Sequence, residues 1–201
     1  MGNDGNVIEN DASGIGKVCP ETLRAVEADC YWCLNKILDG IQDNYTHGQP
    51  GILFDNIIGI HRQINRLSDL IARIDASLSV HLKAQGVEFI QFAFRWMNCM
   101  LMREISLKST IRMWDSYQSD GMDSFANFHI YVCAAFLIKW SAKLKTMEFQ
   151  DILMFLQSVG NITRDWGDKD IELLLSEAFM WKSLFQDSQA HLTTSSVSNI
   201  N

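Results

Sequence analysis

Apolar residues in this chain recur every three to four positions rather than every two. Val26, Cys30, Cys33, Leu34, Ile37, Leu38, Ile41 and Tyr45 form one such stripe, the spacing of a helix that buries one face. It should end near Asn44, because the helix breakers Gly48, Pro50 and Gly51 follow. A second stripe runs Ile57, Ile60, Ile64, Leu67, Ile71, Ile74, Leu78, Leu82 and stops at Gly86. Its rhythm also suits a coiled coil. Asp75 and Ser77 interrupt it and its reach is short, so two packed helices are expected.

From Phe89 to Met102 eleven of fourteen residues are apolar, the exceptions being Gln91, Arg95 and Asn98. Spaced four and three apart, these share one helical face. A helix this apolar is expected at the centre of a bundle. Its polar stripe reads in two ways: as a buried hydrogen-bonded network that fixes register, or as a face turned toward a partner protein. A buried Arg without an acceptor is costly, so Arg95 needs a carboxylate, and Glu88, Glu104 and Asp115 are the candidates. Ser106 can cap a helix through Tyr117, broken by Gly121. Ser124 can cap another from Phe125 to about Leu144, apolar on nearly all sides. A short helix is expected over Phe149–Leu156. A last one begins with Asp168 as N-cap, has Asp170 and Glu172 near the positive end of its dipole, and continues through Leu174, Leu175, Ala178, Trp181 and Phe185. No stretch alternates long enough for a strand. The expected fold is an all-α, multi-helix bundle.

Composition narrows this picture. The 201 residues suit one domain, and 47% hydrophobic residues supply a sizeable core. A net charge of −7 counts against nucleic acid or an anionic membrane as main partner. Residues 1–20 (Asn, Asp, Gly and Ser-rich) read as a flexible leader, 21–187 as the helical body and 188–201 as a disordered tail. No apolar run approaches the roughly 20 residues of a membrane span; the run from Ile130 to Ile138 stops at Lys139. The start of the chain has no signal-peptide core, and Asn6 stands where a myristoylation signal has Ser or Thr. Asn44-Tyr-Thr46 and Asn161-Ile-Thr163 then read as chance glycosylation triplets. The five cysteines are odd in number, and Cys30, Cys33, Cys99 and Cys133 lie in apolar segments. Buried thiols in a reducing cytoplasm are expected.

Candidate chemistry is sparse. Cys30-Tyr-Trp-Cys33 has the spacing of a redox or zinc pair, but no second pair accompanies it and it lies mid-helix on the apolar stripe, where core packing is the simpler reading. His47, His61, His81, His129 and His191 are scattered, and His129 reads as a core histidine with its hydrogen bonds satisfied. There is no phosphate-cradling Gly-rich loop ending in Lys-Ser or Lys-Thr and no Ser nucleophile elbow. No self-contained active site, metal site or cofactor site is expected.

Specific strings add what composition cannot. Glu27-Ala-Asp-Cys-Tyr-Trp-Cys33, Asp43-Asn-Tyr-Thr-His-Gly-Gln-Pro-Gly-Ile52, Arg73-Ile-Asp75, Glu88-Phe-Ile-Gln-Phe-Ala-Phe-Arg-Trp-Met-Asn98, Leu101-Met-Arg-Glu104, Ile111-Arg-Met-Trp-Asp115, Phe128-His-Ile-Tyr-Val-Cys-Ala-Ala-Phe136 and Glu172-Leu-Leu-Leu-Ser-Glu-Ala178 together resemble the C-terminal half of the TBC domain, the Rab GTPase-activating fold. The resemblance spans roughly residues 21 to 192 and is nearest to the Golgi-associated, yeast-type branch. It implies a GTP-bound Rab-type small GTPase as partner and a cytoplasmic protein at the surface of the Golgi or other endomembranes. It also implies catalysis in trans, by an arginine that neutralises charge on the phosphates and a glutamine that orients the attacking water. Such an arginine is typically worth about 10³ to 10⁵ in rate, or roughly 4 to 7 kcal/mol of barrier.

The family carries that arginine in Ile-x-x-Asp-x-x-Arg and that glutamine in Tyr-x-Gln. Here Ile-x-x-Asp occurs at Ile8, Ile52 and Ile162, and the residue expected to be Arg is Gly14, Ile58 and Asp168 respectively. Tyr31, Tyr45, Tyr117 and Tyr131 are followed two places on by Cys33, His47, Ser119 and Cys133. No catalytic residue is therefore assigned, and the chain is expected to supply a C-terminal lobe that needs an N-terminal TBC lobe and does not stimulate hydrolysis alone. A silent adaptor that binds a Rab or another protein is the alternative. Tyr45, His47 and Gln49 are candidate partner contacts, or simply part of a structural turn shaped by Gly48 and Gly51. Gln91, Arg95, Asn98, Arg103, Glu104, Arg112 and Asp115 are the candidate internal polar network. A lone lobe is also expected to self-associate or to expose apolar surface near its first helix.

Overall fold

A computed structural model describes residues 18–39, 41, 55–119 and 124–185. Regular structure among them is helical throughout: α1 (Pro20–Asp39), α2 (Asp55–Ile74), α3 (Ala76–Ala84), α4 (Ile90–Asn98), α5 (Leu107–Ser119), α6 (Ser124–Ile138), α7 (Ser141–Leu144), α8 (Phe149–Ser158), α9 (Gly160–Thr163) and α10 (Asp168–Phe185). None of the described helices is long and apolar enough to cross a membrane. The chain divides into two units, Met1–Asp39 and Gly40–Asn201.

In the first unit, α1 keeps the apolar spacing read from the sequence but not the expected burial. Residues 18–36 are all exposed, Cys30 and Cys33 included. The expectation that both thiols are packed in a core is corrected. Of the other cysteines, Cys99 is half-buried and Cys133 buried.

In the second unit, the long stripe splits where its Asp falls. Asp75 stands at the N-cap of α3 and accepts from the Leu78 amide at 2.9 Å, so the chain turns there. Gly86, at φ 73°, then closes α3, with the Val87 amide reaching back to the Leu82 carbonyl at 2.9 Å. That is the left-handed helix ending glycine favours.

Two expectations about the apolar run after it are corrected. The helix ends at Asn98 instead of continuing to Met102, because the Leu101 amide bonds back to the Trp96 carbonyl at 3.1 Å. Met100 and Leu101 adopt φ 48° and 58° to allow this. Their side chains are buried, which outweighs the cost of a left-handed non-glycine backbone. The central element is α6, not α4. Residues 130–137 of α6 are all buried, whereas α4 exposes Gln91 and Phe94. Helix α6 carries no charged residue and packs against α2, α4, α5 and α10.

The expected long helix to Leu144 is divided into α6 and α7, and the short α9 follows α8. At α10 the capping carboxylate is that of Asp170, which accepts from the Gly167 amide at 3.1 Å. Asp168 is instead paired with Lys108 at 3.1 Å.

Candidate functional site

The structure separates the residues of the sequence-predicted polar stripe. Gln91 accepts from the Glu88 amide at 2.9 Å and closes the start of α4. Arg95 reaches across the α4–α5 turn and donates to Glu104 Oε1 through Nε and Nη2, each at 2.6 Å. Its Nη2 also donates to the Gln157 carbonyl at 2.8 Å, which ties in α8. Asn98 is half-buried at the end of α4. Glu104 is fully buried, and its Oε2 has no hydrogen-bond partner among the described residues. Burial pushes its carboxyl up by more than the Arg95 charge and hydrogen bond and the Arg103 charge pull it down.

This turn is fastened from a third side by α9. The Thr163 hydroxyl donates to the Glu104 carbonyl. A Cβ on Gly160 would stand 2.7 Å from the Arg103 carbonyl oxygen, so only glycine lets the two backbones approach this closely. The Arg103 side chain is exposed.

Deeper in the unit, His129 joins three helices. Its Nε2 faces the Trp96 carbonyl at 3.0 Å and its Nδ1 faces the Tyr117 hydroxyl at 2.9 Å. A carbonyl only accepts, so Nε2 carries the proton and Nδ1 accepts from Tyr117. Burial lowers the His129 pKa to about 4, against a smaller upward pull from Trp96. The imidazole is neutral. Cys133 Sγ lies 3.4 Å from Nε2, and burial pushes its thiol well above the usual range, with Glu104 adding to the rise. Tyr117 is raised the same way, with Cys133 adding to it. Tyrosine, histidine and cysteine are reactive types, yet here they are neutral and fully buried. They hold α4, α5 and α6 together.

A second hub surrounds Asp75. Burial would raise its carboxyl, but donors from Lys145 at 2.8 Å, Ser141 at 2.5 Å, Ser77 at 2.7 Å and the Leu78 amide hold it well below the usual carboxylate range. It anchors α7 to the start of α3.

On the surface, Arg112 pairs with Glu172 at 2.7 Å, not with Asp115, which is exposed. An open groove of about 500 Å³ between α5, α6 and α10 is lined by Ser116, Ser119, Phe128, Leu175, Ser176 and Phe179. A cleft of about 60 Å³ lies among Arg66, Asp69, Leu70, Arg73, Ile130, Tyr131 and Phe185. Its Arg66 donates to Asn127 at 2.9 Å, and its Arg73 lies over the Phe185 ring at 4.5 Å. No group of three or more His, Cys, Asp or Glu among the described residues could hold a metal ion. Tyr45, His47 and Gln49 lie outside the described residues.

The hub at Asp75 and the contacts of Thr163 and Gly160 were not read as functional from the sequence. Asp75, three residues before Leu78 and followed by Ser77, carried a helix-start signal. Nothing local marks Thr163 or Gly160, since what they contact is about 60 positions earlier in the chain.

Comparison with known proteins gives these features a context. The Rab-GTPase-TBC domain matches residues 19–145. The chain is similar to the GTPase-activating protein gyp1 of Schizosaccharomyces pombe, at 60% identity over 83% of this chain and 30% of that protein. It is similar to TBC1 domain family member 22A of Homo sapiens, at 47% identity over 91% of this chain and 34% of that protein. The crystal structure of the Ypt/Rab-GAP domain of Gyp1p superposes with a TM-score of 0.72 at 53% identity, covering 84% of this chain and 49% of that one. The chain thus spans about a third of the length of the curated relatives it matches and about half of the solved domain.

Proposed function

Because this chain belongs to the Rab-GTPase-TBC domain family, we propose that it forms the C-terminal lobe of a GTPase-activating domain for Rab-type GTPases. The arginine and glutamine that act on the nucleotide come from a part of the domain outside these residues. The observation that carries this reading is the family match over residues 19–145, joined to a solved Rab-GAP domain about twice as long as the part matched. Two features support the division of labour. The family's two finger motifs do not occur in the 201 residues. Arg95, the arginine most embedded in the polar network, is committed to Glu104 and Gln157, so it is not poised to enter another protein's nucleotide site.

In this role the lobe supports the fold and offers part of the contact surface for a GTP-bound Rab, with Tyr45, His47 and Gln49 as contacts. The setting is the cytoplasmic face of the Golgi or another endomembrane. Single-turnover GTP hydrolysis by a panel of Rab proteins tests the reading. The chain alone is expected to leave the rate unchanged. Joined to the N-terminal half of a TBC domain, it should accelerate hydrolysis of its cognate Rab by about 10³ to 10⁵. Acceleration by the chain alone would mean that the catalytic groups are among these residues. Rab binding without acceleration by the joined form would identify an adaptor.

A further inference from the structure

Helix α2 turns a basic stripe outward. Arg62, Arg66, Asp69 and Arg73 follow one another at four, three and four positions, so they share one helical face, and all four are exposed. Three guanidinium groups against one carboxylate make this face positive in a chain whose net charge is −7, and such a local field draws anions. These residues all belong to the second unit.

Where the stripe meets α6 it borders the small cleft. Arg66 and Arg73 line the cleft from α2, Tyr131 from α6 and Phe185 from the end of α10. The two arginines stand seven positions apart, about 10 Å along the helix axis, yet both reach toward one phenol. Burial raises the Tyr131 hydroxyl, and the charges of Arg66 and Arg73 pull it the other way, so both guanidinium groups lie near it. Arg66 is steadied by Asn127 at 2.9 Å, and Arg73 by the Phe185 ring at 4.5 Å. Tyr131 is only 9% exposed, and its hydroxyl makes no hydrogen bond to a described residue. A phenol buried this far ordinarily has a partner, and the cleft is where one fits.

We propose that this cleft binds a phosphate monoester group, whose oxygens accept from Arg66, Arg73 and the Tyr131 hydroxyl. Donors arriving from separate turns of α2 and from α6 suit a tetrahedral oxyanion better than a flat carboxylate, and the guanidinium fork matches phosphate oxygens. At about 60 Å³ the cleft is far smaller than the roughly 300 Å³ at which sites for whole ligands begin. It takes the phosphate and leaves the rest of the ligand outside. Asp69 also lines the cleft and opposes an anion.

Isothermal titration calorimetry of the full chain with inorganic phosphate, at about pH 7.5 where phosphate is largely dianionic, should show one saturable site. Arg66→Gln and Tyr131→Phe should each weaken it by about tenfold, and Asp69→Asn should tighten it by about threefold. Lys83→Gln removes the same charge from an exposed position of α3 outside the cleft and should leave the affinity unchanged. Arg66 is exposed and the Tyr131 oxygen has no described partner, so both cleft variants should keep the thermal midpoint measured without phosphate. Acetate should bind at least about tenfold more weakly than phosphate. Absence of a saturable site, a loss with Lys83→Gln equal to that with Arg66→Gln, or equal affinity for acetate would each overturn the proposal. A phosphoserine peptide with alanine flanks separates the sources of the group. Binding about tenfold tighter than inorganic phosphate assigns the cleft to a phosphorylated side chain, and equal binding assigns it to a small soluble phosphate ester.

Discussion

A single imidazole sets much of the acid response of this protein. His129 titrates near 6.5 when unfolded and at about 4 when folded. Below pH 6.5 the unfolded chain takes up a proton that the folded one refuses, so stability is full above that pH and declines toward pH 4. The loss should reach about 3 kcal/mol. Urea unfolding at a series of pH values should show this slope, and His129→Gln should flatten it. Asp75 acts at lower pH. Its depressed carboxyl stabilises the fold above the usual carboxylate range, and that contribution disappears as pH falls through and below it. Asp75→Ala removes a cap and the partner of Lys145 together, and should cost about 2 to 4 kcal/mol. Asp75→Asn keeps a capping oxygen and should cost visibly less by the same denaturation assay.

At the scale of elements, the α4–α5 turn concentrates the strain and the cross-links. Gly160→Ala would press a methyl group on the Arg103 carbonyl at 2.7 Å, with backbone on both sides, and should destabilise by about 1 to 3 kcal/mol. Arg95→Met leaves Glu104 buried without its counter-charge. We expect a loss of about 3 to 5 kcal/mol at pH 7. Since the carboxyl then rises further, the deficit of this variant relative to wild type should narrow as the medium is acidified and Glu104 takes a proton. Chemical denaturation of wild type and variant at pH 7 and 5 checks the sign. This element also marks where sequence reading stopped. The break at Asp75 was legible because its signal is local. The end of α4 was not, because Met100 stands where a glycine would announce the turn, and what holds it there is a carbonyl shared with a helix about thirty residues further on.

Across the whole molecule, burial is unevenly shared among the described helices. In the second unit the strongest burial is on α6, where Leu137 is fully enclosed; Leu137→Ala should cost about 2 to 5 kcal/mol. Leu173 on α10 is 54% exposed, and Leu173→Ala should change the unfolding free energy by no more than about 0.5 kcal/mol. Thermal unfolding of the two variants side by side tests this ranking. The all-helical class and the apolar stripes could be read from spacing alone. The burial of each stripe could not, because periodicity gives a face and not what packs on it: Cys30 and Cys33 read as core from their neighbours in sequence and stand exposed here.

The carbonyl of Trp96 receives two donors, the His129 ring and the Leu101 amide. Leu101 lies in a turn outside any helix, where backbone protons ordinarily trade with solvent quickly. Sealed under a fully buried side chain and bound to an oxygen that α6 also holds, this proton should instead exchange for deuterium only when the centre of the bundle opens.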